Sequence, residues 1–156
     1  MTVKAKNILK IVVTSLVLVF ISSLGSVNSK EYYSSLILPK GAPPSYIFPV
    51  AWGIIYSLII LAACIIEFKV KDGMYKKDAL SYYYTQFIVN ALWPYLFFVF
   101  KVPLLAFILL VILFVLVVMT FIKFYKLNKI AGLLFIPYIL WLIYAGYINL
   151  FVALLN

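Results

Sequence analysis

Asn90, Trp93 and Phe97 recur at steps of three and four residues, as do Tyr138, Trp141, Ala145 and Asn149. That spacing sets each group as a stripe along one side of a helix. Both stripes lie in segments apolar enough to enter a bilayer, where an amide is costly unless it meets other protein or a cavity. The stripes are therefore expected to point inward. Indole and phenol faces offer stacking to a flat aromatic molecule, and two amides offer a few fixed hydrogen bonds. The chemistry they suit is recognition of a large apolar ligand. Asn90 and Asn149 also have a plainer reading, as interhelical hydrogen-bond partners worth about 0.6 kcal/mol on average.

The common catalytic chemistries find little here. The chain has no histidine, which excludes His-built metal sites, haem held by a His ligand and Ser-His-Asp catalysis. A single cysteine, Cys64, excludes an internal disulfide framework. No pair of buried carboxylates is expected, so a proton relay through Asp or Glu has no candidates. Glu67 is expected at the membrane interface, with Lys69 and Lys71 nearby. No phosphate loop or familiar catalytic motif is present. No catalytic residue and no metal ligand is expected.

Composition dictates what positions the stripes. Hydrophobic residues make up 67% of the 156, far above the roughly 45–50% of soluble domains. The chain reads as an all-α membrane protein, a single domain over residues 1–156. Five apolar runs, roughly 8–24, 47–68, 79–99, 103–124 and 130–155, each approach the ~20 residues that cross hydrocarbon. A five-transmembrane-helix bundle is expected.

The net charge of +9 comes from thirteen lysines and no arginine. A nucleic-acid surface would need a contiguous basic face, whereas these lysines fall mainly between the apolar runs. Lys4, Lys6, Lys10, Lys69, Lys71, Lys76, Lys77, Lys123, Lys126 and Lys129 share one side, against Lys30, Lys40 and Lys101 on the other. The positive-inside rule makes the N-terminus cytoplasmic and the C-terminus external. The first run also fits a cleaved signal peptide, with small residues Ser22, Ser23, Gly25 and Ser26 at its end. Its apolar stretch is longer than a usual signal core, which favours a span.

This topology sets depths. Trp52 and Tyr56 fall in the outer third of helix two, Asn90, Trp93 and Phe97 in the outer half of helix three. Trp141 falls near the midplane, with Asn149 above it. The longest connection, residues 25–46, lies outside as a lid. Its Pro39, Gly41, Pro43 and Pro44 make the second half stiff and extended. The expectation is one lidded aromatic cavity. An interfacial aromatic belt competes for Trp52 and is the preferred reading for Tyr82, Tyr83 and Tyr84. Pro94 and Pro137 are expected to break the backbone ladder inside helices three and five, opening space between helices.

Several residues together resemble the translocator-protein family, also called tryptophan-rich sensory proteins or peripheral benzodiazepine receptors, in a bacterial form. They are Pro39 with Pro43-Pro44, Trp52 and Tyr56, Asn90-x-x-Trp93 with Phe97-Phe98, and Pro137-Tyr138-x-x-Trp141 with Ala145 and Asn149. The resemblance implies a five-helix bundle, commonly a homodimer, here in a bacterial plasma membrane. It implies binding of tetrapyrroles such as protoporphyrin IX and, in some members, sterols or synthetic ligands, with no resident cofactor. It also implies that Trp52, Asn90, Trp93, Tyr138, Trp141 and Ala145 line the cavity, with the first loop closing over it. Two positions depart from the family. Gly41 stands where members often carry Trp, which is expected to cost the lid an anchor and add flexibility. No Lys or Arg follows Lys129, where a sterol-recognition stretch needs a basic residue, so sterol binding is disfavoured.

Three functions follow. A receptor or sensor for porphyrin-like ligands leads. Light- and oxygen-dependent breakdown of bound porphyrin is the enzymatic alternative, needing only indoles held against an excited pigment. Transport of tetrapyrroles or other small amphiphiles is the third, disfavoured by the lack of internal repeats and buried charges.

Overall fold

The computed structural model describes residues 2–156. Helix α1 runs Val3–Leu24, capped by the Thr2 hydroxyl accepting from the Ala5 N–H at 3.3 Å. Helix α2 (Ser29–Ser35) is short. Then come α3 (Ile47–Lys69) and α4 (Met74–Pro94), the latter continuing as a π-helical segment over Tyr95–Val99. Helices α5 (Pro103–Leu127), α6 (Lys129–Leu133) and α7 (Ile136–Leu155) complete the chain, and no strand occurs among the described residues.

Four segments are long and apolar enough to cross a membrane: Val3–Leu24, Ile47–Lys69, Pro103–Leu127 and Lys129–Leu155. The expected five are not reached on that measure. The reason lies in α4, which opens with Lys76, Lys77 and Asp78 and carries Gln86 and Asn90 further along. Helix α4 packs against α1 and α5, and α5 packs against α7. Ile59, Ala62, Ala63, Ile66, Phe87, Val117 and Phe124 fill the centre. Outward-facing Leu16, Val17 and Phe20 on α1, with Ile108, Val111 and Val115 on α5, leave an apolar exterior. That is the arrangement of a helical membrane protein, in which most backbone groups bond within their own helix.

The prolines act at slightly different places than expected. Pro94 lacks the N–H that would bond the Asn90 carbonyl. After it the ladder widens, with the Phe100 N–H donating to the Tyr95 carbonyl at 2.8 Å. The run expected over 130–155 is not one helix. It breaks at Leu134 and Phe135, because Pro137 has no N–H to continue the ladder back to Leu133. Pro137 therefore lies in the first turn of α7 rather than inside a helix. The outer connection is not all loop either, since α2 occupies its first half.

Two interfacial expectations are corrected. Tyr83 is fully buried, its hydroxyl paired with that of Ser15 at 2.6 Å, so it joins α4 to α1 rather than serving a belt. Glu67 is also buried. The short turn after α3 folds Lys76 back onto it, with the ammonium 2.8 Å from the carboxylate and both side chains 4% exposed. Asn7 donates to the same carboxylate at 2.9 Å, and Lys76 reaches the Glu67 carbonyl at 3.1 Å and Asp72 at 2.8 Å. That bond from Lys76 holds the Asp72 carboxylate below its ordinary range.

The hairpin of α5 and α6 leaves no room for a side chain at Gly132. A Cβ added to Gly132 would lie 2.5 Å from the Tyr125 Cβ and 2.6 Å from its Cα. Backbone cannot swing away as a side chain can. Gly132→Ala is therefore expected to destabilise the protein by about 1–3 kcal/mol, read as a lower unfolding midpoint in detergent. A midpoint equal to wild type would show that the hairpin has room to spread.

Candidate ligand-binding site

Phe48, Trp52 and Tyr56 follow one another at four-residue steps on α3 and so share a face. Trp52 stacks on Tyr56 with ring centroids 5.3 Å apart, and Tyr56 stacks on Phe87 at 5.3 Å. Asn90 projects from α4 to the end of this column. Its amide oxygen accepts from the Tyr56 hydroxyl at 2.7 Å, and its NH2 donates to the Tyr138 hydroxyl. One amide thus joins α3, α4 and α7, so Asn90 is an interhelical partner and a cavity residue at once.

These side chains form one wall of a cavity of about 460 Å³, within the usual range of ligand pockets. Trp52, Tyr56, Asn90, Trp93 and Phe98 make the aromatic side. Ser22 and Ser23 from α1, Ser26 from the turn after it, and Ser29 and Tyr33 from α2 make a hydroxyl side. The serines were missed as site residues in the sequence. Their signal was the spacing of Ser22, Ser26 and Ser29 at four and three residues, a helical face that also matches a cleavage site.

Trp93 is held from behind. Its ring stacks on Phe97 with centroids 4.9 Å apart, and its indole N–H donates to Asn149 at 3.0 Å. The Asn149 NH2 in turn donates to the Pro103 carbonyl at 2.7 Å. Phe97 and Asn149 are almost completely buried and do not line the large cavity. Tyr138 is likewise fully buried, beneath Asn90. Trp141 and Ala145 line a separate void of about 10 Å³, which shares Phe48, Trp52, Asn90 and Trp93 with the main cavity. The Trp52 and Trp141 rings stand 6.5 Å apart and nearly perpendicular. The Trp141 N–H is buried and meets no acceptor. Of the nine expected site residues, four line the cavity, two line its annex, and Phe97, Tyr138 and Asn149 support the wall.

Pro39, Gly41, Pro43 and Pro44 do not line the cavity; they belong to the connection, or roof, that contributes Tyr33 and Ser45 to its lining. Gly41 has a φ of +83°, a backbone state that costs glycine least. Carbonyls of this roof accept from three tyrosine hydroxyls. The Tyr144 hydroxyl donates to Gly41 at 2.6 Å, Tyr147 to Lys40 at 3.1 Å and Tyr33 to Pro43 at 2.9 Å. Asn156 both accepts from the Ile37 N–H at 2.9 Å and donates to the Ile37 carbonyl at 3.2 Å. Burial pushes the Tyr33 phenol up to about 12, so it remains a neutral donor across the physiological range.

The cavity can enclose a flat apolar molecule between indole and hydroxyl walls, and it offers no nucleophile with an adjacent base. Among the described residues, no cluster of His, Cys, Asp or Glu is placed to hold a metal ion.

Comparison with known proteins now bears on this site. The family model described as TspO/MBR family matches residues 11–155. Protein CrtK of Rhodobacter capsulatus is 32% identical over 125 residues, covering 80% of this chain and 78% of that protein. The tryptophan-rich sensory protein of Cereibacter sphaeroides is 31% identical, covering 81% and 77%. Tryptophan-rich protein TspO of Archaeoglobus fulgidus is 30% identical over 155 residues, covering 96% and 99%. The match spans the helices that build the cavity as well as the roof between them, and the chain belongs to the TspO/MBR family.

Proposed function

We propose that this membrane protein is a receptor or sensor for porphyrin-like ligands, held in the cavity between Trp52, Trp93 and the serine wall. The observation that carries this reading is a 460 Å³ cavity whose aromatic wall includes two tryptophans and ends in the Tyr56–Asn90 pair. A tetrapyrrole is a broad π-system, which stacks on indole faces and needs few polar anchors. Five spans belong to this proposal. α4 and its π extension are uncharged from Ala79 to Val99, which is long enough to cross hydrocarbon. A cytoplasmic N-terminus, an external C-terminus, a bacterial plasma membrane and a homodimer complete the reading. The lysine asymmetry supports the orientation, and the family resemblance supports the rest.

Titration of the purified protein with protoporphyrin IX is expected to quench tryptophan emission saturably. Combining Trp52→Ala, Trp93→Ala and Trp141→Ala is expected to weaken that binding at least tenfold. Unchanged affinity in the triple variant would remove the cavity from consideration. The close, perpendicular Trp52–Trp141 pair supports a second reading, in which bound porphyrin excited by light is oxidised by dissolved dioxygen, which supplies the oxidant. Illuminating the same titration reads it directly. Bleaching no faster than with free tryptophan excludes degradation and leaves binding intact.

A further inference from the structure

The roof is fastened down, whereas three lining residues at the side of the cavity are exposed. Overhead, the roof is fastened at Ile37, Lys40, Gly41 and Pro43 by the hydrogen bonds described above. The outer end of α1 leans on α4. The Tyr95 hydroxyl donates to the Ile21 carbonyl at 2.7 Å, and a Cβ at Gly25 would come within 2.9 Å of the Tyr95 ring. Toward α3, α1 packs along its length, and at this end one hydroxyl pair joins the two. The Ser22 and Tyr56 hydroxyls meet at 3.4 Å and form a sill. Between that sill and the roof, the lining residues Ser23 on α1 and Pro49 and Gly53 on α3 are exposed. A Cβ at Gly53 would meet nothing within 4 Å. Gly53 lies six residues after Ile47, or roughly 9 Å along the helix at 1.5 Å per residue. With the bilayer boundary near the start of α3, that depth lies against lipid rather than water.

We infer that the cleft between α1 and α3 is the route by which ligand reaches the cavity, taken up sideways from the outer leaflet. The inference rests on the binding reading above and adds the source of the ligand, a planar amphiphile already dissolved in the bilayer. Its apolar face slides past Gly53, where no side chain intrudes, onto Trp52. Its polar edge follows Ser23 and Ser26. Those hydroxyls donate to carbonyls of α1, Phe20 at 2.7 Å and Ser22 at 3.4 Å. To serve a carboxylate at that edge they would turn their hydrogens from those carbonyls toward it, while a protonated carboxyl could donate to their lone pairs as they stand.

The test reads rates. Protein in lipid vesicles is mixed rapidly with protoporphyrin IX, and tryptophan quenching is followed in time. Gly53→Phe is expected to slow association at least tenfold relative to Gly53→Ala. The roof variant Tyr144→Phe with Tyr147→Phe is expected to give no faster association than wild type. Equal rates in the two Gly53 variants, or a faster roof variant, would overturn the lateral route. A second measurement needs no porphyrin. In vesicles whose lipids carry bromine on the acyl chains, a protein retaining only Trp52 (Trp93→Phe, Trp141→Phe) is expected to be quenched. Adding Gly53→Phe should at least halve that quenching, and an unchanged value overturns the inference. Failure of the wild type to bind porphyrin would instead count against the function proposed above, while the bromine measurement still decides the cleft.

Discussion

Lys76→Met is expected to lower stability by about 3–5 kcal/mol, the cost of leaving the Glu67 carboxylate charged, buried and without its cation. The size follows from the environment. Both side chains are only 4% exposed, so the carboxylate cannot turn to water when the ammonium is removed. Asn7 keeps one hydrogen bond to it, which eases the loss without replacing the charge. The double variant Glu67→Leu with Lys76→Met removes both charges. It is expected to recover to wild-type stability or exceed it, because an apolar pair carries no desolvation cost. Equilibrium unfolding in mixed micelles measures both. A single variant within about 1 kcal/mol of wild type would mean that the pair behaves like an exposed surface bridge. Porphyrin affinity should not change, since Glu67 lies at the opposite end of α3 from Trp52.

The second large effect is expected at Asn90. Asn90→Leu keeps the bulk of the side chain but leaves the Tyr138 hydroxyl buried without a partner, a loss of about 1–3 kcal/mol. Tyr56 suffers less, because its hydroxyl retains Ser22 at 3.4 Å. The same substitution takes the amide from the cavity wall, and porphyrin affinity is expected to fall about tenfold or more. Pairing Asn90→Leu with Tyr138→Phe separates the two roles. Stability should return, because no orphaned hydroxyl remains, whereas affinity should not. A stability loss no larger than about 0.6 kcal/mol would place Asn90 among ordinary interhelical hydrogen bonds. Recovery of affinity in the double variant would show that it acts only by holding Tyr138.

Helix faces were legible in the chain because side-chain periodicity is a local property. Trp52 and Tyr56, like Asn90 and Trp93, share a face by spacing alone, and both pairs line the cavity. The hydroxyl wall was not legible in the same way. Ser22, Ser23 and Ser26 are small residues that suit a cleavage site as well as a cavity. Which face of α1 turns inward depends on partners remote in sequence, Tyr83 at Ser15 and Tyr95 at Ile21. The roof was legible as stiff chain from Pro39, Pro43 and Pro44. Its fastening was not, since it depends on Tyr144, Tyr147 and Asn156 at the far end of α7.

The sequence by itself determined a helical membrane chain with inward aromatic and amide stripes. Hydrocarbon makes these demands residue by residue, and no tertiary contact is needed to state them. It did not determine what inward meant for each residue. The rotation of α7 against α4 decides that Trp141 reaches a void beside Trp52. The same rotation turns Tyr138 and Asn149 to hold Asn90 and Trp93 instead. The meeting of the outer end of α1 with Tyr95 and with Tyr56 decides that Gly53 is left exposed beside the cavity. The fold of one short turn decides that Glu67 is neutralised by Lys76 rather than by its neighbours Lys69 and Lys71. Each of these depends on where two distant segments meet, and helical spacing carries no information about that distance.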